Sequence, residues 1–187
     1  MGRRLFFAVP ADRNPLHYAE IFNYADPRFE AGVQFIVQGS DTMTTAIVCY
    51  SKHHGNTRKL LDAIAAENQV TLIDVTEQPS ADLSGYDRIG FASGIYYNSF
   101  AKQLLTFARD HLPENKDVFY IFTHGAPKGV FLTAIRKIAE QKHCREIGSY
   151  HCLGYDTFGP FRLVGGIAKG HPTQEEIDAA VAFYREL

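Results

Sequence analysis

The chain has 187 residues, 45% of them apolar, and a formal net charge of −2. That length and apolar content suit one domain with an appendage and a sizeable core, which excludes a disordered chain and a disulfide-stapled miniprotein. With no large basic patch, nucleic acid is a poor candidate partner, and no apolar run approaches the ~20 residues of a membrane-spanning helix.

Met1-Gly2-Arg3-Arg4 followed by Leu5 to Val9 has the outline of a signal peptide, but its apolar stretch stops at Pro10, short of the ~7–15 residues such a segment needs. The three cysteines, Cys49, Cys144 and Cys152, are odd in number and have no C-x-x-C spacing, which fits a reducing compartment. A soluble, cytoplasmic protein is expected, without a membrane partner. Residues 1–42, with Pro10, Pro15, Pro27 and one apolar run from Val33 to Val37, do not share the pattern that follows. Two readings stay open: a genuine extension, or translated upstream sequence with the true start at Met43. The domain proper is expected over 43–187.

From Thr45 to Tyr50 a short apolar run predicts a buried strand, and Gly55 to Glu67 a helix with Leu60, Leu61, Ile64 and Ala65 on one side. Val70 to Val75 is a second predicted strand. Arg88 to Ser93 is a third, entered through a turn at Ser84-Gly85-Tyr86-Asp87. Ser99 to His111 is a predicted helix stopped before Pro113. Val118 to Thr123 predicts a fourth strand, Val130 to Lys142 a helix, and Ile147 to Leu153 a fifth strand. Thr173 opens the last helix with a Thr-Gln-Glu-Glu capping box. Strands alternating with helices of this length mean right-handed βαβ crossovers and a parallel sheet covered on both faces. The expected fold is α/β, a doubly wound five-stranded parallel sheet of order 2-1-3-4-5. Its ligand belongs at the carboxyl ends of the strands, beside the first and third.

Three loops lie there. The first, Ser51-Lys52-His53-His54-Gly55-Asn56-Thr57, joins a strand directly to a helix. A phosphate needs clustered N–H groups, hydroxyls and a positive dipole. A glycine turn at a helix N-terminus supplies the first and third, and Ser51 and Thr57 the second. A plain helix cap is the alternative. The loop is neither a Walker A motif nor G-x-G-x-x-G. Tyr50-Ser51-x-x-x-Gly55-Asn56-Thr57 resembles the phosphate-loop signature of the flavodoxin family, with His53 and His54 where many flavodoxins carry Thr or a small residue. The resemblance spans the chain after Met43 and implies a flavodoxin-like fold holding FMN.

It implies roles for the other loops as well. Ser93-Gly94-Ile95-Tyr96-Tyr97-Asn98-Ser99 would bring Tyr96 or Tyr97 against the isoalloxazine ring, where stacking favours an aromatic face. No glycine follows the aromatic; Asn98, which tolerates positive φ, stands nearest. Thr123-His124-Gly125-Ala126-Pro127-Lys128-Gly129 would border the ring's pyrimidine edge. It holds no tyrosine for the other ring face, and His124 reads as a solvated loop residue. The long stretch from Gly154 to Pro172, with Tyr155, Phe158 and Phe161, could cover that face or pack as a structural loop.

The implied role is a low-potential electron carrier meeting a redox partner protein. From Met43 onward, however, fifteen Lys and Arg stand against sixteen Asp and Glu, a net of −1. Typical flavodoxins are strongly acidic, and steering to a basic partner would be weak here. A flavin-dependent NAD(P)H oxidoreductase acting on a quinone or other small acceptor is therefore the alternative. Electron transfer is favoured over enzymatic turnover. A phosphorylation receiver would need an acidic cluster after the first strand, which Ser51-Lys52-His53 does not supply. No metal site is expected.

Overall fold

Alternation on a strand decides how many layers a sheet can carry, and two strands here are apolar on both faces. In β1 (Thr45–Tyr50), Ala46 and Val48 face one way and Ile47 and Cys49 the other, all buried. In β5 (Asp117–His124), Val118, Tyr120 and Phe122 oppose Phe119 and Ile121 in the same manner. Such strands need a helical layer on each side.

The computed structural model describes residues 43–125, 129–158, 161 and 165–187. The segment 1–42, with its Val33–Val37 run, lies outside the described residues, as do Ala126, Pro127 and Lys128. Met43–Leu187 forms one unit. Its elements run β1, α1 (Asn56–Glu67), β2 (Thr71–Asp74), β3 (Arg88–Tyr96), β4 (Ser99–Phe100), α2 (Lys102–His111), β5, α3 (Thr133–Gln141), β6 (Arg145–Leu153) and α4 (Gln174–Arg185). The sheet order is β2-β1-β3-β5-β6, all parallel. This is the doubly wound order expected, with one added piece. β4 is a two-residue antiparallel strand on the end of β3, pairing Ile95 with Phe100 and Tyr96 with Ser99.

That hairpin corrects the sequence reading twice. The third strand does not end at Ser93 but runs to Tyr96, and the helix starts at Lys102 rather than Ser99. The turn between β3 and β4 has positive φ at both central residues, Tyr97 (50°) and Asn98 (61°), as a two-residue hairpin requires.

α1 and α4 cover one face of the sheet, α2 and α3 the other. The second core is larger in aromatics: Phe91, Phe100, Phe107, Tyr120, Phe122 and Phe131. β5 and β6 slip by one residue between Val118 and Phe119, so Val118 pairs with Glu146 but Phe119 with Gly148. Among the described residues no helix is long and apolar enough to cross a membrane. The three cysteines carry free thiols. Burial pushes Cys49 and Cys152 up to about 12, and Cys144 is shifted upward for the same reason.

The last helix begins with the expected capping box: the Thr173 hydroxyl accepts from the Glu176 amide, and the Glu176 carboxylate accepts from the Thr173 amide at 2.7 Å. His171 Nδ1 lies 2.8 Å from the same carboxylate. Burial alone would raise the Glu176 pKa, but the Thr173 amide and the His171 ring outweigh it and hold it below the usual value. A depressed carboxyl stabilises the fold above its unfolded pKa, and that contribution is lost as pH falls through the folded value. Glu176→Ala should therefore cost about 1 kcal/mol at neutral pH. The difference from the parent protein should shrink in denaturation curves recorded at progressively lower pH.

Candidate functional site

The loop after β1 turns into α1 through two residues with positive φ, His54 (56°) and Gly55 (63°). Gly55 is the N-cap and offers no side chain to the helix's first N–H groups; the first turn holds no acidic residue. One of those donors is taken by Ser51, whose hydroxyl accepts from the Arg58 amide at 3.1 Å. Positive dipole, open amides and the absence of carboxylates suit an anion.

Thr57 and Thr123 meet beneath this loop, their hydroxyls 2.8 Å apart and buried, which ties α1 to the end of β5. Asn56 is buried beside them. Its amide donates to the Tyr155 carbonyl at 2.8 Å, while its Oδ1 has no partner among the described residues. A buried acceptor of this kind normally has a donor, so its vacancy suits a hydroxyl-bearing ligand.

A cavity of about 230 Å³ opens at this end of the sheet. Of the residues expected there, Ser51, His53, Asn56 and Thr57 line it from the first loop. The second loop adds Gly94, Ile95, Tyr96, Tyr97 and Asn98, and the third adds Thr123, His124 and Gly125. Four expected residues stand elsewhere. Lys52 is exposed, with its ammonium 6.0 Å from the Tyr50 ring centre. His54 points to Thr157, Nε2 to Oγ1 at 2.8 Å. Gly55 shapes the turn from behind. Ser93 is buried, its hydroxyl donating to the Gly94 carbonyl and accepting from the Ala101 amide. Ala126 lies outside the described residues.

The two tyrosines divide because Tyr96 ends β3 while Tyr97 stands in the turn that follows. Tyr96 packs edge-on against Tyr50 with ring centres 5.7 Å apart; its hydroxyl is buried, and burial holds its pKa above the usual phenol value. Tyr97 is 86% exposed at the mouth and meets Phe158, 51% exposed, edge to face at 5.3 Å. His124 is no solvated loop residue. It ends β5 at 6% exposure, its ring stacked on Phe131.

Four further residues complete the lining: Phe131, Gly154, Asp156 and Phe158. Three come from the segment after β6, which folds back over the first loop. Asp156 pairs with Ile167 as an antiparallel bridge, and Thr157 donates its amide to His53 Nε2 at 3.3 Å. The Asp156 carboxylate lies 3.7 Å from His53 and comes so near Gly125 that a Cβ there would sit 2.6 Å from Oδ2. The length of the 154–172 connection and its aromatics were the only sequence signals for this wall. Tyr155 packs on His54 instead of lining the cavity.

Comparison with known proteins agrees with this geometry. The sequence profile described as "Flavodoxin domain" matches residues 47–142. An uncharacterised protein of Methanocaldococcus jannaschii is 33% identical over 147 residues, covering 78% of this chain and 98% of its own. Oxidised flavodoxin 1 of Bacillus cereus superposes with a TM-score of 0.56 at 18% identity, over 76% of this chain and 96% of its own. The Trp repressor binding protein of Bacillus subtilis superposes with a TM-score of 0.54 at 13% identity, over 77% and 99%. At these identities the two structures speak for the fold.

Proposed function

This chain belongs to the flavodoxin-domain family, and on that premise we propose that it binds FMN in the cavity and acts as a low-potential electron carrier in the cytoplasm. The observation that carries the reading is the junction of a helix N-terminus whose N-cap offers no side chain, a buried acceptor with no donor among the described residues, and an aromatic mouth in one cavity. The phosphate would sit at the α1 N-terminus, held by backbone N–H groups with Ser51 and Thr57 nearby. Asn56 Oδ1 would take a ribityl hydroxyl as donor, which satisfies the atom the protein leaves open. Ile95, Tyr96, Phe131 and Phe158 would give the ring an apolar surround. Bound FMN would supply one- or two-electron transfer. Apolar walls, with the Asp156 carboxylate beside them, disfavour added negative charge and so lower the potential.

A second reading is a flavin-dependent oxidoreductase taking electrons from NAD(P)H to a quinone or other small acceptor. The net charge of only −1 from Met43 onward supports it, since steering toward a basic protein partner would be weak. So does the exposed Tyr97–Phe158 pair, an aromatic surface at the mouth for a planar substrate.

The test is an absorbance spectrum of the purified protein followed by anaerobic stepwise reduction. The expected result is a yellow protein reduced in two resolved one-electron steps. Reduction in a single step, with steady NAD(P)H oxidation and no added reductase, would favour the second reading. A colourless protein that takes up no added FMN would overturn both.

A further inference from the structure

Tyr96 ends β3 and lines the cavity, with its hydroxyl buried and without a hydrogen-bond partner among the described residues. Its surroundings show where that hydroxyl lies. The ring stands edge-on to Tyr50, the residue that leads into the first loop, with centres 5.7 Å apart. Ser51 and His53 of that loop line the same cavity. Burial raises the phenol pKa, and the backbone amides of His53 and Lys52 act on it in the opposite sense. A Cβ on Gly94 would stand 3.5 Å from the hydroxyl oxygen. The side chain therefore runs from the second loop toward the first, with its oxygen on the side of the first loop's N–H groups.

A buried O–H with no acceptor is rare, because its lost hydrogen bond to water is not replaced. The amides beside it are donors themselves and cannot supply one. What this place lacks is an acceptor for several donors at once. A phosphate monoester is such a group: its oxygens can take the phenol O–H, backbone N–H groups and the Ser51 hydroxyl together. Ser51 accepts from the Arg58 amide and keeps its own O–H to donate. Asn56, 6% exposed, points to the same ligand from the other side, since its Oδ1 meets no donor among the described residues. The two open atoms are complementary in kind. Asn56 asks for a hydroxyl and Tyr96 for an anionic oxygen, and a phosphorylated polyol chain carries both.

We propose that the Tyr96 hydroxyl donates to the phosphate of the bound cofactor and makes the site selective for FMN over unphosphorylated riboflavin, an inference that rests on the FMN reading above. The ring carbons of Tyr96 still wall the cavity beside the flavin; only the oxygen reaches the phosphate end. Removing that oxygen touches a contact that FMN makes and riboflavin does not.

The test uses Tyr96→Phe, which keeps the aromatic ring and deletes one atom. Dissociation constants for FMN and for riboflavin are measured by flavin fluorescence titration of the flavin-free parent and variant in phosphate-free buffer. The expected result is FMN binding weakened about 10- to 100-fold with riboflavin binding unchanged. Equal weakening of both flavins, or unchanged FMN binding, would overturn the proposal and leave the FMN reading standing. The flavin-free variant should melt no lower than the parent, since the deleted hydroxyl bonds to nothing in the protein. A lower melting temperature would place its partner inside the protein and overturn the proposal as well. A parent protein that binds neither flavin would sink the FMN reading first, before any variant is compared.

Discussion

Phe91→Ala is expected to destabilise the domain by about 3–5 kcal/mol. Phe91 sits mid-way along β3, the central strand, fully buried, with Val48 and Tyr120 beside it in the flanking ladders. Both neighbours belong to the same core, and each is pinned by its own strand, so collapse into the vacated space is limited. The loss is large against the ~5–15 kcal/mol of a typical domain. For a domain of this size it corresponds to a drop of roughly 6–20 °C in Tm. Chemical denaturation should show the midpoint falling with the slope unchanged. A loss below about 1 kcal/mol would mean that this core repacks freely, contrary to the close-packed interior described. Phe158→Ala, at an exposed position, should leave stability nearly untouched while opening the cavity mouth.

Asn56→Leu should weaken FMN binding about 10- to 100-fold, the equivalent of one or two good hydrogen bonds. Leucine has the branching and the heavy-atom count of asparagine but neither of its polar atoms. The change removes the acceptor offered to the ligand and strips the Tyr155 carbonyl of its donor, so the segment after β6 loses an anchor over the first loop. Stability should fall as well, by about 1 kcal/mol, because a part-buried carbonyl is left unpaired. Flavin fluorescence titration separates the two effects: the variant is compared at a temperature where circular dichroism shows it fully folded. Binding equal to that of the parent protein would remove Asn56 from the site.

Much of this was legible in the sequence because it depends on local periodicity. The uninterrupted apolar runs of β1 and β5 follow from burial on both faces, and α1 declares itself through Leu60, Leu61 and Ile64. The first loop was legible because Ser51 to Gly55 is a short glycine-containing turn that joins a strand directly to a helix. The β3–β4 hairpin was not. Tyr97-Asn98 has no glycine, and Gly94 suggests that a strand is ending just where β3 continues. Ser99 then reads as the start of the helix, although its backbone pairs with Tyr96. The wall built from Asp156 and Phe158 was hidden for a different reason. It forms by a return of the chain across about one hundred residues to His53 and His54, and no pattern within the segment encodes its partner. His124 was misjudged as solvated because its burial depends on Phe131 and on the neighbouring strand.

The slip between β5 and β6 has a consequence for how this strand tolerates insertion and deletion. Before it, Arg145 pairs with Asp117 and Glu146 reaches Arg136; beyond it, Tyr150 and Cys152 face the α4 side while His151 faces Phe122. Ile147 is the residue left without a counterpart, so it works as slack between an ionic anchor and an imidazole-bearing end. A chain lacking Ile147 could keep both halves in phase. A chain lacking a residue between Gly148 and His151 could not, since the pleat would exchange the two faces from there on. Length variation in this strand is therefore permitted at one address, and every other address is closed by the side chains that follow.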